Sequence, residues 1–137
     1  MSNPPTFMAS SLYVALGGGT GAWLRYLVSR VTVQTLGPVA ATAFPWATLA
    51  VNLIGSMAMG LLAGWLARFG AHGEGWRLLL GVGVLGGFTT FSAFSLELVT
   101  MINRGTPGTA LLYAAVSLLG GVAGLYLGLG AMRGIAA

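Results

Sequence analysis

Apolar positions along this chain gather into four long runs, at about 12–33, 45–67, 77–102 and 108–132. Each reaches or exceeds the roughly 20 residues needed to cross a hydrocarbon core about 30 Å thick. Lipid offers no water to satisfy backbone N–H and C=O groups, so such runs fold as helices. The pattern predicts an all-α membrane protein: one domain over residues 1–137 with four transmembrane helices. The links between runs agree. Leu36-Gly37-Pro38 breaks the first link, and Pro45 suits the first turn of the second helix, where its missing donor costs nothing. Ala71-His72-Gly73-Glu74-Gly75 reads as a short polar turn with a solvated histidine. Arg104-Gly105-Thr106-Pro107 reads as another, with Thr106 as N-cap. Links this short make successive helices antiparallel.

The third run is unlike the others. From Gly81 to Glu97 it opens glycine-rich, becomes a dense block of hydroxyls and phenylalanines, and ends on an acid. A helix facing only lipid needs few hydroxyls. This helix is therefore expected to break near mid-membrane, at Gly86-Gly87, with the break and its phenylalanines facing something other than lipid.

Composition narrows the class. Hydrophobic residues make up 56% of the 137 residues and charged residues 6%, which points away from a soluble globular protein. The net charge of +4 comes from six arginines, opposed only by Glu74 and Glu97. The arginines are scattered singly and form no basic patch, so nucleic acid is not an expected partner. The absence of cysteine removes disulfides, thiolate ligands and cysteine nucleophiles together. No catalytic grouping of Ser, His and acid is visible, so an enzyme is not expected. Met1 to Pro5 carry no positive side chain and no cleavage site follows, so a removable signal peptide is not expected either.

Arginine bias between loops normally sets the orientation of a membrane protein. Four helices would place Arg68, Arg77 and Arg133 on one side and Arg25, Arg30 and Arg104 on the other, three against three, or three against two if Arg25 lies deep inside its helix. A chain so balanced can insert both ways round and pair antiparallel with itself. A weakly biased protein with a single orientation is the plainer alternative.

Several motifs compete for meaning. Gly17-Gly18-Gly19-Thr20-Gly21-Ala22 matches a dinucleotide-binding fingerprint letter for letter, but no acidic residue occurs before Glu74 and the surroundings are apolar. Tight helix packing is the better reading. Gly60/Gly64, Gly83/Gly87 and Gly120/Gly124/Gly128 are likewise small-residue arrays for close helix approach. Polar residues within the spans weigh more, because hydrocarbon penalises them. Thr48, Asn52 and Ser56 share one face of the second helix, and Tyr113, Ser117 and Gly121 share one face of the fourth. Thr89, Ser92 and Ser95 with Phe88, Phe91 and Phe94 cover two adjacent faces of the third.

Such hydroxyls can simply glue helices or bond back to their own backbone. Asn52 resists that reading, being a whole amide inside an uncharged helix. Amide and hydroxyl donors with phenylalanine ring edges suit a small anion. Carbonyls freed at the Gly86-Gly87 break would instead suit a cation. Arg25 reads equally as snorkelling to the interface or as lining a pore vestibule. Glu97 reads as the partner of an arginine, the cap of a polar cavity, or a proton site.

Three stretches carry a family resemblance: Gly18-Gly19-Thr20-Gly21-Ala22-Trp23-Leu24-Arg25-Tyr26, Thr48-Leu49-Ala50-Val51-Asn52-Leu53-Ile54-Gly55, and Gly86-Gly87-Phe88-Thr89-Thr90-Phe91-Ser92-Ala93-Phe94-Ser95-Leu96-Glu97. In this order they resemble the Fluc (CrcB) fluoride channel family, over all four spans. The resemblance implies an antiparallel, dual-topology homodimer in the bacterial inner membrane, with two fluoride pores lined by both subunits. It implies that the pore exports cytoplasmic fluoride passively.

The resemblance also assigns residues. Phe91 and Phe94 match the anion-facing phenylalanines, Asn52 the pore asparagine, and Ser92, Tyr113 and Ser117 the polar track. Thr48 and Arg25 match the aqueous entry. Gly86 to Thr89 match a central site where backbone carbonyls of both subunits hold a structural Na⁺. Members often carry Thr where this chain has Ala93, which implies a track short of one hydroxyl. The competing expectation is a small proton-coupled multidrug exporter, another four-helix, dual-topology class. It needs an acid in its first helix, and none is present there.

Overall fold

A computed structural model of the chain describes residues 5–69 and 73–134, and the regular structure among them is entirely helical. Helix α1 runs Phe7–Ala43, its first turn capped by Thr6, whose hydroxyl accepts from the Ala9 amide at 3.3 Å. Its continuous winding runs from Phe7 to Leu36, starting before and ending just past the expected 12–33. Leu36-Gly37-Pro38 breaks the winding as expected, and a second, short helical segment follows it from Pro38 to Ala43. The ring of Pro38 excludes the helical conformation from the residue before it. Gly37 takes φ 79° and ψ 160°, a conformation only glycine adopts at little cost, and helical geometry resumes at Pro38.

Helix α2 runs Trp46–Phe69. Pro45 precedes it in the cap position, its carbonyl accepting from the Leu49 amide at 3.0 Å. The third run is segmented into a short helix α3 (Gly73–Trp76), a π-wound stretch (Arg77–Leu85), a single turn α4 (Gly86–Phe88) and helix α5 (Phe91–Asn103). Glu74 of α3 pairs at 2.8 Å with Arg77, the first residue of the π-wound stretch, and the latter part of the expected polar turn is helical; Ala71 and His72 lie outside the described residues. Gly105, at φ 80°, turns the chain into helix α6 (Pro107–Gly134). The Thr106 hydroxyl does not cap α6 as expected. It donates back to the Met101 carbonyl at 2.9 Å, satisfying the end of α5, while its own carbonyl accepts from Ala110.

Two glycine seams assemble these helices. Gly17 and Gly21 of α1 lie against the π-wound stretch; a Cβ on Gly83 would stand 2.8 Å from the Gly17 Cα. Gly128 of α6 meets the backbone of α2 at Met57 and Leu61. The fingerprint-like Gly17 to Ala22 segment is thus a packing surface. Between the seams sits a small core of Leu49, Met101, Ala110 and Tyr113, with Tyr113 fully buried. Long apolar side chains such as Leu111, Leu118, Leu119 and Leu127 stand exposed along α6, as lipid contact requires. Among the described residues three segments are long and apolar enough to cross a membrane: Trp46–Arg68, Gly73–Asn103 and Pro107–Gly134. Helix α1 is not among them, its run being diluted by glycines, hydroxyls and arginines.

Candidate functional site

The helix of the third span breaks at the far end of the expected Gly86 to Thr89 stretch and not at Gly86-Gly87. Gly86 is helical (φ −63°, ψ −39°), whereas Thr89 and Thr90 are extended, at φ −83°, ψ 161° and φ −152°, ψ 124°. Asn52 supplies the reason. The Thr90 amide, which would donate to the Gly86 carbonyl in a continuous helix, donates instead to Asn52 Oδ1 at 2.9 Å. In return Asn52 Nδ2 donates to the Thr90 carbonyl at 3.1 Å. A side-chain amide on α2 therefore stands in for the lost ladder and compensates the break inside the bundle. Gly87 serves packing instead, its Cα pressed toward the Gly18 carbonyl of α1.

Both sides of the break are closed locally. The Thr89 amide and hydroxyl both donate to the Leu85 carbonyl, at 3.0 and 2.9 Å. Thr90 Oγ1 accepts from the Ala93 amide at 3.2 Å and caps α5. The first amides of α5 consequently point out of the helix at the break, with the positive end of its dipole. Arg25 Nη1 donates to the Thr89 carbonyl at 3.3 Å.

Two cavities flank this point. The first, of about 350 Å³, is lined by Asn52, Ser56, Thr89, Thr90, Phe91, Phe94 and Ser117, and closes on apolar Met59, Leu85 and Leu125. The rings of Phe91 and Phe94 lie 5.8 Å apart, inclined at 39°, and Phe91 is 79% exposed. Ser117 Oγ is buried with no hydrogen-bond partner, so its proton is free for whatever enters. The second cavity, of about 460 Å³, is lined by Arg25, Tyr26, Thr48, Ser92 and Glu97. Thr90 belongs to both.

Glu97 does not pair with an arginine. Thr48 Oγ1 donates to its Oε1 at 2.6 Å, and the Tyr113 hydroxyl donates to its Oε2 at 2.8 Å. One carboxylate thus binds α2, α5 and α6 together, as one would expect of a charge inside a membrane protein that must be hydrogen-bonded. The Tyr113 ring packs against Phe94 at 5.1 Å and edge-on to Phe44 at 5.5 Å.

The residues singled out in sequence therefore divide. Asn52, Thr89, Phe91, Phe94 and Ser117 share the first cavity, while Arg25, Thr48, Ser92 and Glu97 share the second. Tyr113 is buried behind Phe94 with its proton given to Glu97, and Gly86 lies just before the break. Sequence reasoning gave no part to Thr90, which shapes the site as much as Asn52 does. A threonine three residues ahead of Ala93, where a helix restarts, was its N-cap signal. The tie from Arg104 Nη1 to the Thr42 carbonyl, 3.1 Å, was also unforeseen, because it depends on α1 continuing past Gly37.

Comparison with known proteins agrees with the motifs. The family model described as CrcB-like protein, Camphor Resistance (CrcB), matches residues 12–129. A protein of Novosphingobium aromaticivorans named fluoride-specific ion channel FluC is 58% identical over 129 residues, covering 94% of this chain and 100% of that relative. Proteins of the same name from Erythrobacter litoralis and Hyphomonas neptunium are 50% and 55% identical. They cover 92% and 93% of this chain, and 92% and 98% of their own lengths.

Proposed function

The chain belongs to the CrcB family, and from that premise we propose that it is a passive, fluoride-selective ion channel that exports fluoride from the cytoplasm. It is a multi-pass membrane protein and not an enzyme. The observation that carries the reading is the clamp of Asn52 on Thr90, which holds the N-terminal end of α5 open toward a cavity walled by Phe91, Phe94 and Ser117. Several groups there favour negative charge: helix amides, the second Asn52 Nδ2 proton, a free hydroxyl and the positive edges of aromatic rings.

Fluoride is small and strongly hydrated, so a pore has to replace its water donors at close range. Asn52 and Ser117 supply donors and the phenylalanine edges supplement them. Arg25, Thr48 and Ser92 form the entry, where the guanidinium draws anions from solution. Tyr113 and Glu97 position this wall, Glu97 holding Thr48 and Phe94's neighbour in place through hydrogen bonds. Fluoride that enters a cell as neutral HF ionises in the less acidic cytoplasm. The membrane potential, worth about 2.3 kcal/mol per charge per 100 mV, then drives the anion outward without a coupled ion.

The assembly follows from the same premise. Helix α1 is read as a fourth span, and two copies pair antiparallel in the bacterial inner membrane, consistent with the three-against-three arginines. Phe91, largely exposed in the single chain, then completes a pore built from both subunits. The carbonyls of Gly86 and Thr89 fit a structural Na⁺ in their chemistry. Diversion of the Thr90 amide to Asn52 frees the Gly86 carbonyl from its helical donor, and the Thr89 carbonyl keeps a lone pair beside its contact with Arg25. Two hard oxygens make half a shell, and the second copy would supply the other half. The ion would tie the two breaks together.

The test is the purified protein in liposomes loaded with fluoride or chloride. Electrogenic fluoride efflux, no chloride efflux and no requirement for a proton gradient are expected. Drug-driven proton flux, or no anion flux, would overturn the reading.

A further inference from the structure

Hydroxyls in these helices are mostly spent. Thr20, Ser29, Thr32, Ser95 and Thr100 each donate to the carbonyl four residues earlier, the usual way to hide a hydroxyl in lipid. Ser56 does not. It makes no hydrogen bond among the described residues, although the Asn52 carbonyl stands four residues before it. Its side chain lines the first cavity together with Asn52 and Ser117.

A role in gluing helices does not account for this hydroxyl. The α6 position opposite it is Gly121, which has no side chain to bond; a Cβ built there would come to 3.3 Å from Ser56 Oγ. Glycine at 121 keeps the space in front of the Ser56 hydroxyl open. Ser117, one turn earlier on α6, is the other unpartnered hydroxyl of the cavity. One hydroxyl from α2 and one from α6 thus face the same space, both with free protons. Ser56 lies one turn past Asn52, about 6 Å further along α2 at about 1.5 Å per residue.

We propose that Ser56 is a fluoride-coordinating residue, a second free hydroxyl that continues the donor path from Asn52 toward the end of the cavity walled by Met59 and Leu125. The proposal rests on the channel reading. It makes Gly121 part of the same device, since any side chain there would crowd the donor.

The experiment measures fluoride efflux from liposomes for the parent protein, Ser56→Ala, and the double variant Ser56→Ala with Gly121→Ser, with the assembly state of each checked by size-exclusion chromatography. Ser56→Ala should slow efflux roughly tenfold, the size expected for one lost hydrogen bond to a charged partner. The double variant moves a hydroxyl from α2 to α6 across the same space and should restore much of the rate. A packing role would not be rescued this way. Should Ser56→Ala fail to assemble, Ser56→Cys keeps the shape with a much weaker donor and should show the same slowing. Parental efflux in an assembled Ser56→Ala or Ser56→Cys, or no recovery in the double variant, would overturn the role of Ser56 while leaving the channel intact. Absence of efflux from the parent protein would sink the channel reading itself.

Discussion

Asn52 does with one side chain what two backbone groups do in an uninterrupted helix: it accepts from one peptide N–H and donates to the C=O of the same residue. A second Nδ2 proton remains for a ligand. Asn52→Asp keeps the acceptor, loses both donors and sets a carboxylate against the Thr90 carbonyl. Fluoride efflux should fall to background while size-exclusion chromatography still reports the parental assembly; normal efflux would remove Asn52 from the pore. Phe91→Ile keeps apolar bulk without a ring edge and should lose most efflux in the same assay. Tyr113→Phe addresses a different bond. It removes a donor from the part-buried Glu97 Oε2, a cost of up to about 1–3 kcal/mol. The thermal unfolding midpoint should drop, and an unchanged midpoint would mean that water replaces the phenol.

The elements owe their arrangement to glycine seams, and these can be tested by matched substitutions. A Cβ on Gly21 would stand 2.8 Å from the Phe88 amide and closer still to the Val84 backbone, neither of which can give way. Gly21→Ala should therefore destabilise the protein by about 1–3 kcal/mol, as overpacking does. Gly130→Ala, with nothing within 4 Å, should be neutral or gain up to about 1 kcal/mol of helix propensity. Equal unfolding midpoints would show that the α1 seam is loose. Much at this scale was legible beforehand. Apolar runs longer than a bilayer is thick have few alternatives to helix, and the hydroxyls after Gly87 marked a break to within one turn. The misses share one physical cause, which is competition from distant groups. The break sits at Thr89-Thr90 because Asn52, 38 residues away, bids for the Thr90 amide. The π-winding of Arg77–Leu85 accompanies backbone contact with Gly17 and Gly21, and no local pattern announces it. Gly37-Pro38 does break the winding, but the short helical segment after it, its Thr42 carbonyl held by Arg104 just past α5, was not legible. Likewise the polar track was legible as residue types, but its division into two cavities that meet at Thr90, and the hydrogen bonds of Thr48 and Tyr113 to Glu97, depend on how distant segments pack.

For the whole molecule, the arginine count bears on the proposed antiparallel assembly. Arg25 reaches the break at Thr89, so the count is three against three with it and three against two without it; either bias is weak, and under the antiparallel proposal both orientations should be populated and each should find an opposite partner. Two single substitutions can break the tie in opposite senses. Val39, 82% exposed just past the kink of α1, lies on the side of Arg30 and Arg104; Phe7, 88% exposed, lies at the other end of the same helix. Val39→Arg and Phe7→Arg should each drive the chain toward one orientation, the two being opposite. Because the parent has no cysteine, a single cysteine introduced at Gly134 reports the orientation by its reaction with a membrane-impermeant thiol reagent. It should label about half of the parent and unequal fractions of the two variants. If antiparallel pairing builds the pore, each variant expressed alone has few opposite partners, and fluoride efflux from cells should be weak. Co-expression of the two should restore it, since each supplies the orientation that the other lacks. A parallel dimer or a functional monomer behaves otherwise: each variant alone would conduct, and mixing would add nothing. Labelling with co-expression therefore separates an assembly fault from a damaged pore, because a damaged pore would not recover in the mixture.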